Sequence, residues 1–100
     1  MLFRAKNITV YQADAKIVNA KGLHARAAAD LAKMAEKLEA EFKVTKLPSM
    51  MQVDGRSILD LMMLAAPKGT VLRLEASGRD AKKLVKAAVK LVESGFNEKD

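Results

Sequence analysis

The single histidine of the chain, His24, lies two positions after Gly22 and two before Arg26. An imidazole is a competent nucleophile near neutral pH. Apolar spacing typical of a helix begins just after His24, and the first turn of a helix attracts anions such as phosphate. Arg26 can donate two hydrogen bonds to phosphate oxygens. This spacing predicts reversible phosphorylation of His24, although position alone also allows a surface histidine that starts a helix.

Other catalytic or metal chemistry has little support in the sequence. There is no cysteine, which removes disulfides, thiolate chemistry and cysteine metal ligands. One histidine without cysteine argues against a zinc site. The run Gly55-Arg56-Ser57 is not a phosphate-binding loop of the Walker type. We therefore expect neither a metal nor a cofactor.

The elements that would position His24 alternate between strand and helix. We expect strands near residues 15–19, 41–45, 51–53 and 70–76, and helices near 25–39, 57–65 and 80–94. This order favours an α+β fold, an open-faced two-layer sandwich with a four-stranded antiparallel sheet and three helices on one face. Residues 14–100 would form one domain, preceded by an N-terminal extension or extra edge strand over residues 1–13.

Composition narrows the possible partners. The chain is 50% hydrophobic and 30% charged, as in a folded globular protein, and its net charge of +6 favours either solubility or acidic partners. Its four aromatic residues are spread along the chain and form no stacking platform for single-stranded nucleic acid. A basic nucleic-acid-binding domain stays an alternative, with only weak, nonspecific binding expected. Without a membrane span or signal peptide, we expect a cytoplasmic protein with no membrane insertion.

The segment after Gly55 carries two further signals. Ser57, followed three residues later by Asp60, is typical of a helix N-cap. The helix that follows is apolar nearly all round, which indicates either deeper burial or a surface for partners. We assign Leu59, Met62 and Met63 to an exposed patch. We expect Ile58, Leu61 and Leu64 to lie mainly in the core.

Two stretches of this sequence resemble a known family. Residues 22–28, GLHARAA, and residues 53–66, VDGRSILDLMMLAA, are similar to the two signatures of HPr, the histidine phosphocarrier of the phosphotransferase system, and of its nitrogen-related sister. The chain also ends with Gly95-Phe96, a common finish in this family. The resemblance covers about residues 14–97 and leaves the sugar and nitrogen branches both open.

The resemblance implies a phosphocarrier rather than a stand-alone enzyme. His24 would accept a phosphoryl group on Nδ1 from phospho-enzyme I, with phosphoenolpyruvate as the ultimate donor, and pass it to an enzyme IIA protein. Arg26 would stabilise the phosphate. The chain would be a monomer, unless an extra N-terminal strand pairs between chains. Its surface for enzyme I and enzyme IIA would include Leu23, Ala25, Ala27, Arg56, Leu59, Met62 and Met63.

The sequence departs from the family pattern at one position and leaves a second function open. Ala27 stands where the family has proline, which retains the helix and restores one backbone N–H donor. In some HPr proteins the serine at the position of Ser57 is phosphorylated by a dedicated kinase. The alternative function is thus a regulatory adaptor without phosphoryl transfer, controlled at Ser57 by a serine kinase/phosphorylase.

Overall fold

Five strands and three helices make up the fold over the described part of the chain. The computed structural model describes residues 2–5 and 8–98. The strands are β1 (Leu2–Ala5), β2 (Ile8–Lys16), β3 (Glu41–Leu47), β4 (Met51–Asp54) and β5 (Val71–Ser77), and the helices are α1 (Ala25–Glu36), α2 (Ile58–Met63) and α3 (Ala81–Glu93). All neighbouring strands are antiparallel, in the order β1-β2-β5-β3-β4. The predicted open-faced α+β sandwich is confirmed, and its sheet carries a fifth strand, β1.

Strand β5 lies at the centre of the sheet and shows the alternation that places the core. The sequence alternates here, which predicts Leu72, Leu74 and Ala76 on the inner face. All three are buried, while Arg73 and Glu75 between them point to the other face. Leu74 is paired with Val44 on one side and with Ala13 on the other. Since successive side chains alternate, this register puts one apolar layer of the sheet against the helices.

Strand β2 begins earlier than the sequence suggested. The predicted strand over residues 15–19 is corrected to Ile8–Lys16, which crosses the predicted domain start at residue 14. Residues 8–11 are β-branched or aromatic and favour a strand, and β2 pairs with β5 from Val10 opposite Ser77 to Lys16 opposite Val71. Backbone hydrogen bonding along this length of β5 stabilises the strand despite the low strand propensity of its polar residues.

Helix α1 packs through small residues. The helical spacing of apolar residues predicts one buried stripe of Ala28, Leu31, Ala32, Ala35 and Leu38. The first four are buried, while Leu38 lies beyond the end of the helix and is partly buried. The helix ends at Glu36 instead of the predicted residue 39. The Arg56 guanidinium donates from Nη1 to the carbonyl oxygens of Ala35, Leu38 and Ala40, at 3.0 to 3.2 Å. These bonds supply a donor to carbonyls at and just beyond the end of the helix, where no further helical turn provides one.

The segment leading into α1 is held against the backbone after α2. Gly22 has a φ of +65°, and a Cβ atom placed there would lie 2.5 Å from the carbonyl oxygen of Ala66. The next amide, Leu23 N–H, donates to that same oxygen at 2.9 Å. Glycine is required at position 22 for both its conformation and its size.

We expect Gly22→Ala to lower the free energy of unfolding by about 3 kcal/mol, because left-handed strain and a backbone clash add together. Gly69→Ala is the matched control. Gly69 also has a positive φ, of +94°, but open space surrounds the position of its missing Cβ. That variant should lose about 1 kcal/mol. Urea denaturation of the three proteins measures both losses, and equal losses would show that the Gly22–Ala66 contact is not tight.

Candidate functional site

His24 is the N-cap residue of α1. Its backbone is extended, with φ of −79° and ψ of −179°, and its carbonyl oxygen accepts the first helical hydrogen bond from Ala28 N–H at 2.8 Å. The amides of residues 25–27 precede that bond and have no acceptor among the described residues. The helix dipole adds partial positive charge at this end. The side chain of His24 thus stands beside a cluster of backbone donors suited to an anion.

Glu98 approaches the His24 ring from the end of the chain. Its Oε2 contacts Nε2 of His24, and its Oε1 accepts a hydrogen bond from Nδ2 of Asn19 at 3.0 Å. The same Nδ2 donates to the carbonyl oxygen of Gly22 at 2.8 Å. Asn19 is only 1% exposed, and the Glu98 side chain is 11% exposed. A buried amide therefore links the turn before α1 to the carboxylate that contacts the histidine.

These contacts determine the charge state of Glu98. The hydrogen bond from His24 holds the pKa of the Glu98 carboxyl below its usual value of 4.5. Partial burial acts in the opposite direction, while the hydrogen bond from Asn19 and the positive charges of His24 and Arg26 lower the pKa further. Glu98 is therefore a carboxylate at neutral pH and acts as a hydrogen-bond acceptor.

A left-handed turn after α3 directs Glu98 back toward His24. Gly95, Phe96 and Asn97 have φ values of +70°, +57° and +58°. Phe96 is buried and its N–H donates to Leu91 O at 2.9 Å, while Glu98 N–H donates to Gly95 O at 3.0 Å. Left-handed backbone costs a non-glycine residue about 1–2 kcal/mol, and asparagine tolerates it best after glycine. Burial of the Phe96 ring offsets this strain and fixes the turn.

Arg26 follows His24 in the first turn of α1 and is exposed. No described residue forms an ion pair or hydrogen bond with its side chain, and its charge is close enough to Glu98 to lower that pKa. The structure thus places His24 and Arg26 in one turn, as the sequence predicted. A guanidinium in this position can donate to an anion held at the helix start.

Helix α2 presents an apolar surface, which we call the α2 patch, made of Ile58, Leu59, Met62 and Met63. Leu59 is 74% exposed and Met63 67% exposed. Ile58 was expected in the core, and its 39% exposure corrects that expectation. In this short helix Leu61 and Leu64, the residue that ends the helix, mark the buried side. Ile58 shares that side by helical spacing but is the first residue of the helix, at the end of the face that the core leaves uncovered.

Four other residues predicted for the partner surface lie in three kinds of surroundings. Leu23 and Ala27 are buried, at 5% and 0% exposure, so direct contact of their side chains with a partner is corrected to a role in the core. Ala25 is exposed. Arg56 is committed to the carbonyls at the far end of α1, one helix length of roughly 18 Å from His24.

Ser57 is the N-cap of α2, as the sequence predicted. Its Oγ accepts a hydrogen bond from Asp60 N–H at 3.2 Å. The Asp60 carboxylate does not complete a capping box, because its Oδ2 accepts from Asp54 N–H at 3.4 Å instead. Ser57 is half-buried. It lies at the end of α2 away from Leu23, where the carboxylates of Asp54 and Asp60 accept hydrogen bonds from the backbone N–H groups of Arg56 and Asp54.

Two features of the site escaped sequence reasoning. Asn19 was placed at the end of a strand without a role, and Glu98 received none. Their contacts join positions 79 residues apart, and neither residue belongs to a local pattern that reveals a partner at that distance. An asparagine before a glycine turn was the one available signal, because its amide often bonds to nearby backbone.

Among residues 2–5 and 8–98, no group of three or more acidic, histidine or cysteine side chains could hold a metal ion. Over the same residues, no helix has the length and apolar character needed to cross a membrane. The family model described as the PTS HPr component phosphorylation site matches residues 11–94. The sheet, the three helices and a histidine that starts α1 are thus those of a phosphocarrier of the phosphotransferase system.

Individual relatives agree with that class. The phosphocarrier protein HPr of Neisseria meningitidis serogroup A is 43% identical over 83 residues, covering 83% of this chain and 91% of that protein. The phosphocarrier protein NPr of Shewanella violacea is 34% identical, covering 91% and 98%. A crystal structure of HPr from Thermoanaerobacter tengcongensis superposes with a TM-score of 0.83 at 36% identity, covering 90% and 99%. The chain belongs to the HPr family.

We expect the Glu98 contact to depend on pH in a defined direction. Because folding lowers the pKa of Glu98, its stabilisation is complete above the ordinary carboxyl pKa of 4.5 and is lost as pH falls through the lowered value. The difference in unfolding free energy between the wild type and Glu98→Gln should thus be present at pH 6 and shrink below pH 4.5. Denaturation at several pH values measures it.

Glu93→Gln is the control for this titration. Glu93 lies on α3, is exposed, and loses the same charge on substitution. Its difference from the wild type should change little over the same pH range. A Glu98→Gln difference that stays constant from pH 6 to pH 3 would contradict the assignment.

Proposed function

We propose that His24 accepts a phosphoryl group on Nδ1 from phospho-enzyme I and transfers it to a histidine of an enzyme IIA protein. The observation that carries this proposal is the position of His24 at the start of α1, beside amides without an acceptor, in a chain of the HPr family. The protein is then a substrate of both partners and turns over no small molecule itself. Such a carrier works in the cytoplasm, where both partners act.

The environment of His24 suits a phosphoryl group chemically. Phosphate oxygens bound to the ring would lie near the N–H groups of residues 25–27 and the positive end of the helix dipole. Arg26 supplies a full positive charge and up to two parallel hydrogen bonds. The backbone donors are held in place by the helix before the phosphoryl group arrives, so they need little reorganisation during transfer.

The α2 patch is the proposed docking surface for both partners. Helix α2 runs antiparallel to α1, because Leu23 N–H bonds to Ala66 O at one end and Arg56 bonds to the carbonyls at the end of α1 at the other. The C-terminal end of α2 therefore lies beside the residue before His24. Four exposed apolar side chains next to a reactive histidine favour contact with another protein. The methionines can adapt to two different partner surfaces.

A regulatory role of Ser57 is the second candidate, and its position is the observation in favour. Ser57 immediately precedes the α2 patch, so a phosphate there would add a charge of about −1.5 to −2 to the docking surface. The neighbouring carboxylates of Asp54 and Asp60 would repel that phosphate. We therefore propose that phosphorylation of Ser57 by a serine kinase would weaken docking rather than create a new function.

Incubation with enzyme I and phosphoenolpyruvate tests the carrier function by intact-mass measurement. The wild type should gain one acid-labile phosphate, and His24→Ala should gain none. Arg26→Ala should still be phosphorylated, at a rate roughly tenfold lower because a charged hydrogen bond to phosphate is lost. Arg79→Ala is the matched control, since Arg79 is exposed and lies near Glu39, beyond the far end of α1. A wild type without phosphate would refute the carrier function.

Docking through the α2 patch is tested by Met63→Asp. A charge within an apolar contact should raise the KM for phosphorylation by enzyme I about tenfold, while the maximal rate changes little. Met50→Asp is the control, because Met50 is 60% exposed but lies in the turn between β3 and β4. Its KM should stay within about twofold of the wild-type value. Equal effects of the two variants would argue against a specific patch.

A further inference from the structure

We propose that Glu98 is a positioning residue for phosphoryl transfer, which acts on Nδ1 of His24 by holding the proton on Nε2. This inference rests on the proposed function of His24 as the phosphoryl acceptor. It assigns a role to the turn after α3, a segment outside both family signatures.

The Glu98 carboxylate orients the His24 imidazole through its Nε2 edge. Glu98 Oε2 contacts Nε2, and the other carboxylate oxygen is held by Asn19 Nδ2 at 3.0 Å. Asn19 is itself fixed by burial and by its second bond, to Gly22 O at 2.8 Å. A carboxylate anchored at both oxygens restricts rotation of the ring. The histidine is thus oriented by the backbone of the turn before α1 through two residues, Asn19 and Glu98.

The same contact selects the nucleophilic nitrogen. An ionised carboxylate can only accept hydrogen bonds, so its partner Nε2 must carry the proton. In the neutral ring, the lone pair then resides on Nδ1. No described residue forms a hydrogen bond with Nδ1. In that neutral tautomer Nδ1 is the nitrogen available for attack, and the choice between the two nitrogens follows from Glu98.

The carboxylate also balances charge during transfer. The Nδ1 lone pair forms the bond to phosphorus while the bond from phosphorus to the donor atom of phospho-enzyme I breaks, and that electron pair leaves with the donor. The Nε2 proton stays in place, so the phosphorylated ring is a cation. Glu98 lies against that cation and stabilises it. In the second transfer the Nδ1–phosphorus bond breaks, its electrons return to Nδ1, and the neutral ring is restored.

The backbone supports a dedicated role for Glu98. The chain reverses after α3 through three consecutive left-handed residues, two of which are not glycine. Phe96 is buried at 1% exposure, and the missing Cβ of Gly95 would lie 3.5 Å from the Cβ of Asn19. The turn is thus packed directly on the residue that holds the carboxylate. A fraying tail would have neither feature.

The kinetics of phosphorylation by phospho-enzyme I distinguish three roles of Glu98: positioning the His24 ring, docking the partner, and blocking access to the ring. Glu98→Gln and Glu98→Ala should each lower the maximal rate about tenfold, because a charged hydrogen bond to the ring is lost, and leave KM within about twofold. Glu93→Gln, the matched control, should match the wild type. A raised KM with an unchanged maximal rate would make Glu98 a docking residue. A maximal rate that is unchanged or higher than that of the wild type would also overturn the proposal.

A second measurement needs no partner protein. Nitrogen–proton NMR spectra of the unphosphorylated imidazole, at a pH where it is neutral, should show the proton on Nε2 in the wild type. That signal should persist in Glu98→Gln, whose amide oxygen still accepts, and broaden by exchange with water in Glu98→Ala. A proton found on Nδ1 in the wild type would overturn the assignment. If the wild type accepts no phosphate, the proposed function of His24 fails, and the role of Glu98 in transfer fails with it. The spectra still decide whether Glu98 holds the proton on Nε2.

Discussion

The side-chain amide of Asn19 makes the interaction on which the rest of the site depends. Its Nδ2 donates both to Gly22 O, in the turn before α1, and to Glu98, 79 positions later in the chain. Its Oδ1 is buried without a hydrogen-bond partner in the structure. A buried acceptor of this kind costs about 1–3 kcal/mol. An apolar residue at position 19 would avoid that cost but would lose the hydrogen bonds to Gly22 and Glu98. The two bonds from Nδ2 therefore explain why a polar residue is buried here.

The features that the sequence predicts depend on residues close together in the chain. The features that it misses depend on contacts between residues far apart in the chain. The start of α1 at His24, the alternation of β5 and the cap at Ser57 depend on residues within one turn or one strand, and each is found in the structure. Glu98 depends on a three-dimensional contact, so no local pattern reveals it. The exposure of Ile58 is a similar case. When a helix is apolar all round, the spacing of its apolar residues does not show which side the core will cover.

Ala27 shows why a change in the family signature can leave the site intact. The family has proline at this position, and proline in a first helical turn removes an N–H that no helical carbonyl would accept. In this chain the alanine methyl is fully buried and α1 begins at Ala25, just as the motif predicts. The difference therefore lies in the backbone, where alanine adds one donor to the amides beside His24. An extra donor at the positive end of the helix favours an anion there.

The antiparallel arrangement of α1 and α2 places His24 and Ser57, the proposed sites of phosphoryl transfer and of its control, at opposite ends of the helix pair. His24 and the C-terminal end of α2 share one end of this helix pair, and Arg56 with Ser57 lies at the other. Interactions between exposed charges are largely screened beyond a Debye length of about 8 Å at physiological ionic strength. A charge added at Ser57 would therefore change the surface that a partner contacts while hardly altering the reactivity of the imidazole. Helix pairing alone thus allows docking and phosphoryl chemistry to be adjusted independently.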